Sequence, residues 1–173
     1  TSFDIIAYLL SSIIINKINN RKFDYIMFVI KSQIDKVGMH KSYNILEHSK
    51  FINNIGELKN IFLYFSHSFP EKIEKLIIKM TATLNEYFHL DGSFPLFNGS
   101  NNNYTDKVFK SLNKDFFSKS REFSNTKNGI AFYSDKNKKL FFDIVQPKND
   151  IVSSGLSAGT LSFELSSFGE KII

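Results

Sequence analysis

The sequence predicts an α+β protein in which helices come first and antiparallel strands follow. Apolar residues recur at helical spacing from about residue 3 to residue 90. Beyond about residue 115 the period shortens towards two, and turn-rich spacers separate short apolar segments. A helical run followed by a strand run favours two packed subdomains over an interleaved α/β sheet. We place the boundary near Lys114, which gives segments 1–114 and 115–173.

Four helices are predicted in the first segment. They cover Phe3–Asn20, Phe23–Val37, Asn44 to about His67, and Pro70 to about His89. Asn19, Asn20 and Gly38 are typical residues for helix ends, and Pro70 suits a first helical turn. The first segment is therefore expected to be a set of helices joined by short links.

The second segment is predicted to be a meander of antiparallel strands. A short helix over Thr105–Lys114 precedes strand candidates at Phe116–Phe123, Gly129–Tyr133, Lys139–Val145 and Thr160–Ser166. In the last strand Leu161, Phe163 and Leu165 alternate with Ser162, Glu164 and Ser166, which places the two sets on opposite faces. Gly169 is the expected turn of a final hairpin.

A long loop, residues 90–104, joins the two predicted segments. Asp91-Gly92 and Asn98-Gly99 are tight-turn pairs, and the residues between them are too apolar for a free linker. Two interpretations stay open: an Ω-loop that closes the end of the helices, or a loop that lines a substrate site.

The composition excludes several classes of site. The 173 residues carry a net charge of +5, with the lysines spread along the chain, which gives little support to a nucleic-acid surface. The absence of cysteine excludes disulfides, thiolate metal sites and a Cys nucleophile. The longest apolar run, Ile5–Ile15, is too short to span a bilayer. Because the chain starts at Thr1 and ends on apolar residues, we expect it to be part of a longer protein.

Four histidines, at positions 40, 48, 67 and 89, are the main candidates for chemistry. Spacing alone favours a surface or cap residue for each over a site residue, and His40 and His48 are too far apart to chelate one ion as a close pair. The zincin, P-loop and α/β-hydrolase signatures are absent from the sequence.

Three stretches of the sequence resemble the heparinase II/III-like family of polysaccharide lyases. They are "MHKSYNILEHSKFINNIGELKNI", "FHLDGSFPLFNGSNN" and "SAGTLSFELSSFGEKII". The first is similar to the family's "GGHxERSPxYHxxxLxxLxxL" helix start, and the third to the "AHAGxLSFEL" strand of one bacterial branch. The three lie between residues 38 and 173 and stand in the family's order.

The resemblance implies the last helices of an (α/α) toroid followed by the first strands of an antiparallel β-sandwich. It implies cleavage of uronate-containing glycans by β-elimination, without a cofactor. That reaction needs the uronate carboxylate neutralised, a base to take the C5 proton and an acid to protonate the departing O4 oxygen.

The family's functional positions carry over residue by residue. His40 and His48 match the two histidines of the first motif, Asn44 could present an amide to a carboxylate, and Glu47 stands where the family has Tyr. Asn98, in the loop, is a further candidate for substrate binding. Tyr104 is offered as the general base, with Tyr87 and Tyr43 as alternatives.

The final motif departs from the family at its histidine. Members with "HAHAD" have histidines where this chain has Gly155 and Ser157, and the nearer branch keeps one, at the Ser157 position. Serine can neither carry a proton at neutral pH nor neutralise a carboxylate as an imidazolium can. The alternative function is therefore a catalytically degenerate protein of the same fold that binds glycans or serves the cell envelope.

The resemblance also predicts partners and location. We expect an anionic polysaccharide as the partner and no nucleic acid, no membrane span and no metal. The cell envelope or periplasm is the expected location, and the oligomeric state stays open.

Overall fold

A computed structural model describes residues 20–65, 68–101, 123–127, 129–144 and 161–173, with residues 4, 7, 8, 11 and 12 near the start. Within these ranges the chain is α+β, as predicted: it has three α-helices with defined bounds, a 3₁₀ turn and a five-stranded antiparallel sheet. The predicted short helix at residues 105–114, most of the strand at 116–123 and the boundary near Lys114 lie outside the described residues. The boundary stays a prediction.

The helices are α1 (Asn20–Ser32), α2 (Ile45–Tyr64) and α3 (Glu71–Glu86). The five described residues before Asn20 are also helical. Helix α1 ends five residues before Val37, the predicted end. The Asp35 carboxylate accepts the backbone N–H groups of Val37, Gly38 and Met39 and so closes a turn where the helix was expected to continue.

The starts of α2 and α3 agree with the sequence pattern. Asn44 directly precedes α2 and accepts the Glu47 N–H at 3.0 Å, as an N-cap residue does. Pro70 directly precedes α3, whose first turn contains Glu71 and Glu74, where acidic side chains favour the helix dipole. The 3₁₀ turn Phe97–Gly99 lies in the loop that follows α3.

The sheet is a meander with strand order β1-β2-β3-β4-β5. The strands are β1 (Phe123–Lys127), β2 (Ile130–Ser134), β3 (Lys138–Asp143), β4 (Phe163–Ser167) and β5 (Glu170–Lys171). Most of β1 lies between the predicted strands Phe116–Phe123 and Gly129–Tyr133, where a turn-rich spacer was expected. Phe168 and Gly169 have φ values of 49° and 85°, as the two central residues of a type I′ hairpin turn require, so the predicted hairpin at Gly169 is confirmed.

One face of the sheet packs against the helices. Tyr87, at the end of α3, is fully buried and stacks on Phe141 with ring centroids 6.3 Å apart. Ile130 and Phe132 complete this apolar contact. Tyr87, the alternative candidate for a general base, therefore lies in the core.

The outer face of the sheet is also apolar, and this differs from a simple amphipathic pattern. Phe142 and Phe163 stack on each other there and are 38% and 45% exposed. The predicted alternation in β4 is confirmed, but its polar residues Glu164 and Ser166 face the helical part of the molecule and are buried. No helix in the described ranges is long and apolar enough to cross a membrane.

Candidate functional site

Four of the six predicted site residues meet at the N-terminus of α2. His40 and Asn44 lie in the turn that leads into the helix, His48 lies in its first turn, and Asn98 approaches from the loop after α3. Tyr104 and Ser157 lie outside the described residues, so their assignments stay predictions.

His48 is completely buried, and backbone groups occupy both of its ring nitrogens. Nδ1 accepts the His40 N–H at 3.2 Å, and Nε2 lies 3.0 Å from the Met80 carbonyl, which can only accept. These two contacts select the neutral tautomer with the proton on Nε2. Burial lowers the His48 pKa to about 4, although the bond to Met80 opposes this. The alternative of a surface histidine is therefore wrong for His48.

His40 is partly exposed, and its ring packs on Phe51 with centroids 5.3 Å apart. Its Nδ1 accepts the Ser42 N–H at 3.2 Å and lies 2.8 Å from the Ser42 hydroxyl. The neutral ring therefore carries its proton on Nε2, which has no partner among the described residues. Burial lowers the His40 pKa, against a smaller raising effect of Glu47. Of the two predicted histidines, His40 has the nitrogen that can meet a ligand.

Asn44 and Ser100 cap α2 together. The Ser100 hydroxyl accepts the N–H groups of Ile45 at 3.0 Å and Leu46 at 3.3 Å, and it donates to Asn44 Oδ1 at 3.1 Å. Asn44 Oδ1 also accepts from Glu47. Side chains thus satisfy three N-terminal amide groups of α2, so these three groups are not free to bind an anion.

Asn98 holds the loop against this cap. It is 2% exposed and adopts a left-handed conformation with φ 53° and ψ 37°, which Asn tolerates better than most residues. Its carbonyl accepts Asn44 Nδ2 at 2.7 Å, and its own Nδ2 donates to the Tyr43 carbonyl at 3.4 Å. Asn44 and Asn98 are therefore joined, but both are occupied by contacts within the protein.

Glu47, in the first turn of α2, acts electrostatically on His40. Its carboxylate is half exposed and forms an ion pair with Lys50 at 2.7 Å. Within the described residues, no three His, Asp or Glu side chains are grouped closely enough to hold a metal ion.

A second polar cluster, His89, Glu164 and Lys171, lies where the loop after α3 meets the sheet. His89 Nε2 lies 3.0 Å from Glu164 Oε2, and Lys171 Nζ approaches the same oxygen at 2.5 Å. Glu164 Oε1 accepts the Leu96 N–H at 2.6 Å. Burial alone would raise the Glu164 pKa, but the donors from His89, Lys171 and Leu96 hold it below its ordinary value.

His89 is buried at the centre of this contact. Its ring meets the edge of Phe141 at 4.8 Å between centroids, and its Nδ1 is buried without a hydrogen-bond partner among the residues that the structure describes. The residues that sequence reasoning missed are Ser100, Leu96 and Glu164. The only signal for Glu164 was a carboxylate on the polar face of β4, and the alternation did not say which face meets the helices.

No protein-family model matches the chain, and no curated protein matches it. Among solved structures, the heparan sulfate lyase HepC from Pedobacter heparinus matches 98% of this chain and 31% of its own, with a TM-score of 0.63 and 17% identity. The chain has a heparinase-like fold. A mutant of the same lyase matches 83% of this chain and 26% of its own, with a TM-score of 0.59 and 19% identity. The chain thus spans less than a third of HepC, and at this identity the likeness concerns the fold.

Proposed function

We propose that the protein is a heparinase-like polysaccharide lyase that cleaves uronate-containing anionic glycans by β-elimination. The observation that carries this proposal is the shared fold with a heparan sulfate lyase over 98% of the chain. In this proposal the helices are the last part of an (α/α) toroid and the strands begin a β-sandwich. The exposed aromatic pair Phe142 and Phe163 supports the sandwich, because such a face is normally covered by a second sheet.

The proposed reaction divides among the site residues as follows. His40 Nε2 faces the uronate, and Tyr104 takes the C5 proton. Asn44 and Asn98 are proposed beside it, but their amide groups are bound within the protein and meet the uronate only if those bonds open. The electron pair forms the C4–C5 double bond, the C4–O4 bond breaks, and a protonated group returns a proton to O4. His48 is proposed at this site too, but in the structure its nitrogens are held by backbone groups. It acts on substrate only if those bonds open.

The test is an assay of the full-length protein with alginate, heparan-type polymers and other uronic-acid glycans. Elimination produces an unsaturated product that absorbs in the ultraviolet, and we expect this absorbance with at least one polymer. His40→Gln should lower kcat/KM, whereas Lys75→Gln, which removes an exposed ion pair on α3, should not. No absorbance with any polymer would contradict the lyase proposal.

A second candidate is a non-catalytic glycan-binding protein of the same fold. The hydrogen bonds of His48 and Asn44 to backbone groups favour it, because they turn the family's site positions into scaffold. Serine at the family's histidine position, Ser157, points the same way. Binding of a uronate polymer without product, together with new activity in Ser157→His, would support this candidate. A wild-type protein that is fully active with serine would exclude it.

The partner and the location are proposed with the function. We propose an anionic polysaccharide in the cell envelope or periplasm, and no nucleic acid. Retention on a heparin column should depend on uronate content. If modest salt abolished it without any such selectivity, a general electrostatic surface would explain the binding instead.

A further inference from the structure

The Glu164 carboxylate joins three segments that are distant in the sequence. Its donors are His89, shortly after the end of α3, the Leu96 N–H in the following loop, and Lys171 on β5. Glu164 is only 8% exposed, so these bonds form in a partly desolvated site, where charge-assisted hydrogen bonds are strong. Glu164 is therefore the main polar link between the sheet and this loop among the described residues.

The same loop also contacts the candidate site. The Leu96 amide is held by Glu164, and the next residues form the 3₁₀ turn Phe97–Gly99. Asn98 in this turn binds Asn44, and Ser100 directly after it caps α2. The hydrogen-bonded path thus runs from the sheet to the first turn of α2, which carries His48.

We propose that Glu164 is a positioning residue: its carboxylate fixes the loop 89–100 on the sheet and thereby holds the N-terminus of α2, with His40 and His48, in place. The inference concerns the geometry of the site and stands independently of whether the protein cleaves a glycan. Through the buried Glu164 carboxylate, strand β4 thus helps to position the candidate site as well as forming part of the sheet.

The charges around Glu164 come from every element packed against it. His89 and Asp91 follow α3, and Lys171 lies on β5. Lys139 faces the helices from β3, and the charge of Glu86 on α3 favours its protonated form. Asp91 titrates in acid too. Burial alone would raise its pKa, but its hydrogen bonds with Ser93 lower it. A pH experiment on Glu164 therefore needs Asp91→Asn as a control.

The first test compares hydrogen exchange in the full-length protein with that in Glu164→Gln. Losing a charge-assisted bond should speed exchange of the Leu96 amide at least about tenfold, with a smaller increase at Ile45 and Leu46, while the amides of α3 keep their protection. The matched control is Glu74→Gln, which removes an ion pair to Lys59 on the exposed surface and should leave the loop unchanged. Wild-type exchange in the loop of Glu164→Gln would overturn the proposal.

A second readout separates positioning from general stability. With ¹⁵N-labelled histidine, the Nε2–H tautomer signal of His48 should shift or broaden in Glu164→Gln but not in Glu74→Gln. A merely stabilising role would lower the unfolding midpoint and leave both this signal and the local exchange pattern unchanged, and that result would overturn the proposal.

If Glu164→Gln does not fold, the wild-type protein supplies the test. On acidification below the lowered pKa of Glu164, loop amides should lose protection before the α3 amides do, and Asp91→Asn and His48→Gln should both show the same loss. Loop protection that is unaffected by this titration, or lost only through Asp91 or His48, would contradict the positioning role.

Discussion

Two clusters among the described residues, one around His48 and one around His89, are built on opposite principles. At the start of α2, His48 is kept neutral, and its two nitrogens bind backbone groups. At the contact with the sheet, His89 faces a carboxylate and shares it with a lysine. Burial alone dominates the first cluster and lowers the His48 pKa, whereas in the second the donors outweigh burial and lower the Glu164 pKa.

The position of each histidine in the fold determines which partners its ring can bind. His48 lies among helices, where the available partners are backbone amide and carbonyl groups, so it serves as a fixed connector. His89 lies where two kinds of structure meet and where charged side chains from β4 and β5 can reach it. The sequence pattern singled out the first cluster, whereas the second lies where the loop meets the sheet.

The largest expected effect is at His48. His48→Ala should lower the free energy of unfolding by about 4 kcal/mol, because it leaves a cavity, takes the acceptor from the His40 N–H and removes the side-chain bond to the Met80 carbonyl. Chemical denaturation measures this directly. The matched control is His40→Ala, whose ring is partly exposed and should cost about 1 kcal/mol. Equal losses in the two variants would contradict a special connecting role for His48.

The second effect is the pH dependence that His48 produces. Its pKa is about 4 when folded and about 6.5 when unfolded, so the unfolded chain binds more protons between these values. Stability from His48 is therefore complete above about pH 6.5 and falls by about 3 kcal/mol as the pH drops to about 4. In His48→Gln the free energy of unfolding should depend less on pH in this window. A slope that persists unchanged in that variant would assign it to other groups.

A smaller effect is expected at His89. His89→Ala leaves Glu164 with the donors from Lys171 and Leu96, so the carboxylate is not stranded. Loss of one charged hydrogen bond and of the contact with Phe141 should cost about 2 kcal/mol in a thermal or denaturant experiment. A loss as large as that of His48→Ala would mean that the second cluster depends on His89 as strictly as the first depends on His48.

The smallest effect is expected at the joint cap of α2. Ser100→Ala removes the acceptor of the Ile45 and Leu46 amides but leaves the Asn44 cap of Glu47, so we expect a loss of about 1 kcal/mol. Ser49→Ala, which removes a bond within α2, is a control of the same chemistry. No change in exchange of the Ile45 amide would show that Ser100 does not cap the helix.

The sequence predicts those parts of the fold that depend on neighbours in the chain. Helix α2 follows from its apolar period and from Asn44, and the final hairpin follows from Gly169, because both signals are local. The early end of α1 was not predictable from periodicity, since the Asp35 side chain competes for backbone groups two to four residues ahead.

The site was predictable only in part, for the same reason. The spacing of His40, Asn44 and His48 placed them near one helix start, and in the structure all three lie at the start of α2. Ser100 lies 55 residues from the Ile45 amide that it accepts, and Glu164 lies 68 residues from Leu96. Alternation in β4 gave two faces without saying which one packs on the helices, so the inward carboxylate had no sequence signal of its own.

The most direct test of the contrast between the two clusters is the titration of His48, followed by ¹⁵N NMR of selectively labelled histidine in the full-length protein. We expect a single neutral Nε2–H tautomer at pH 7 that begins to protonate only near a pKa of about 4. A His48 that titrates near 6.5, or that exchanges between tautomers at neutral pH, would contradict its role as a buried connector. That result would also make the ring available for acid–base chemistry on a glycan.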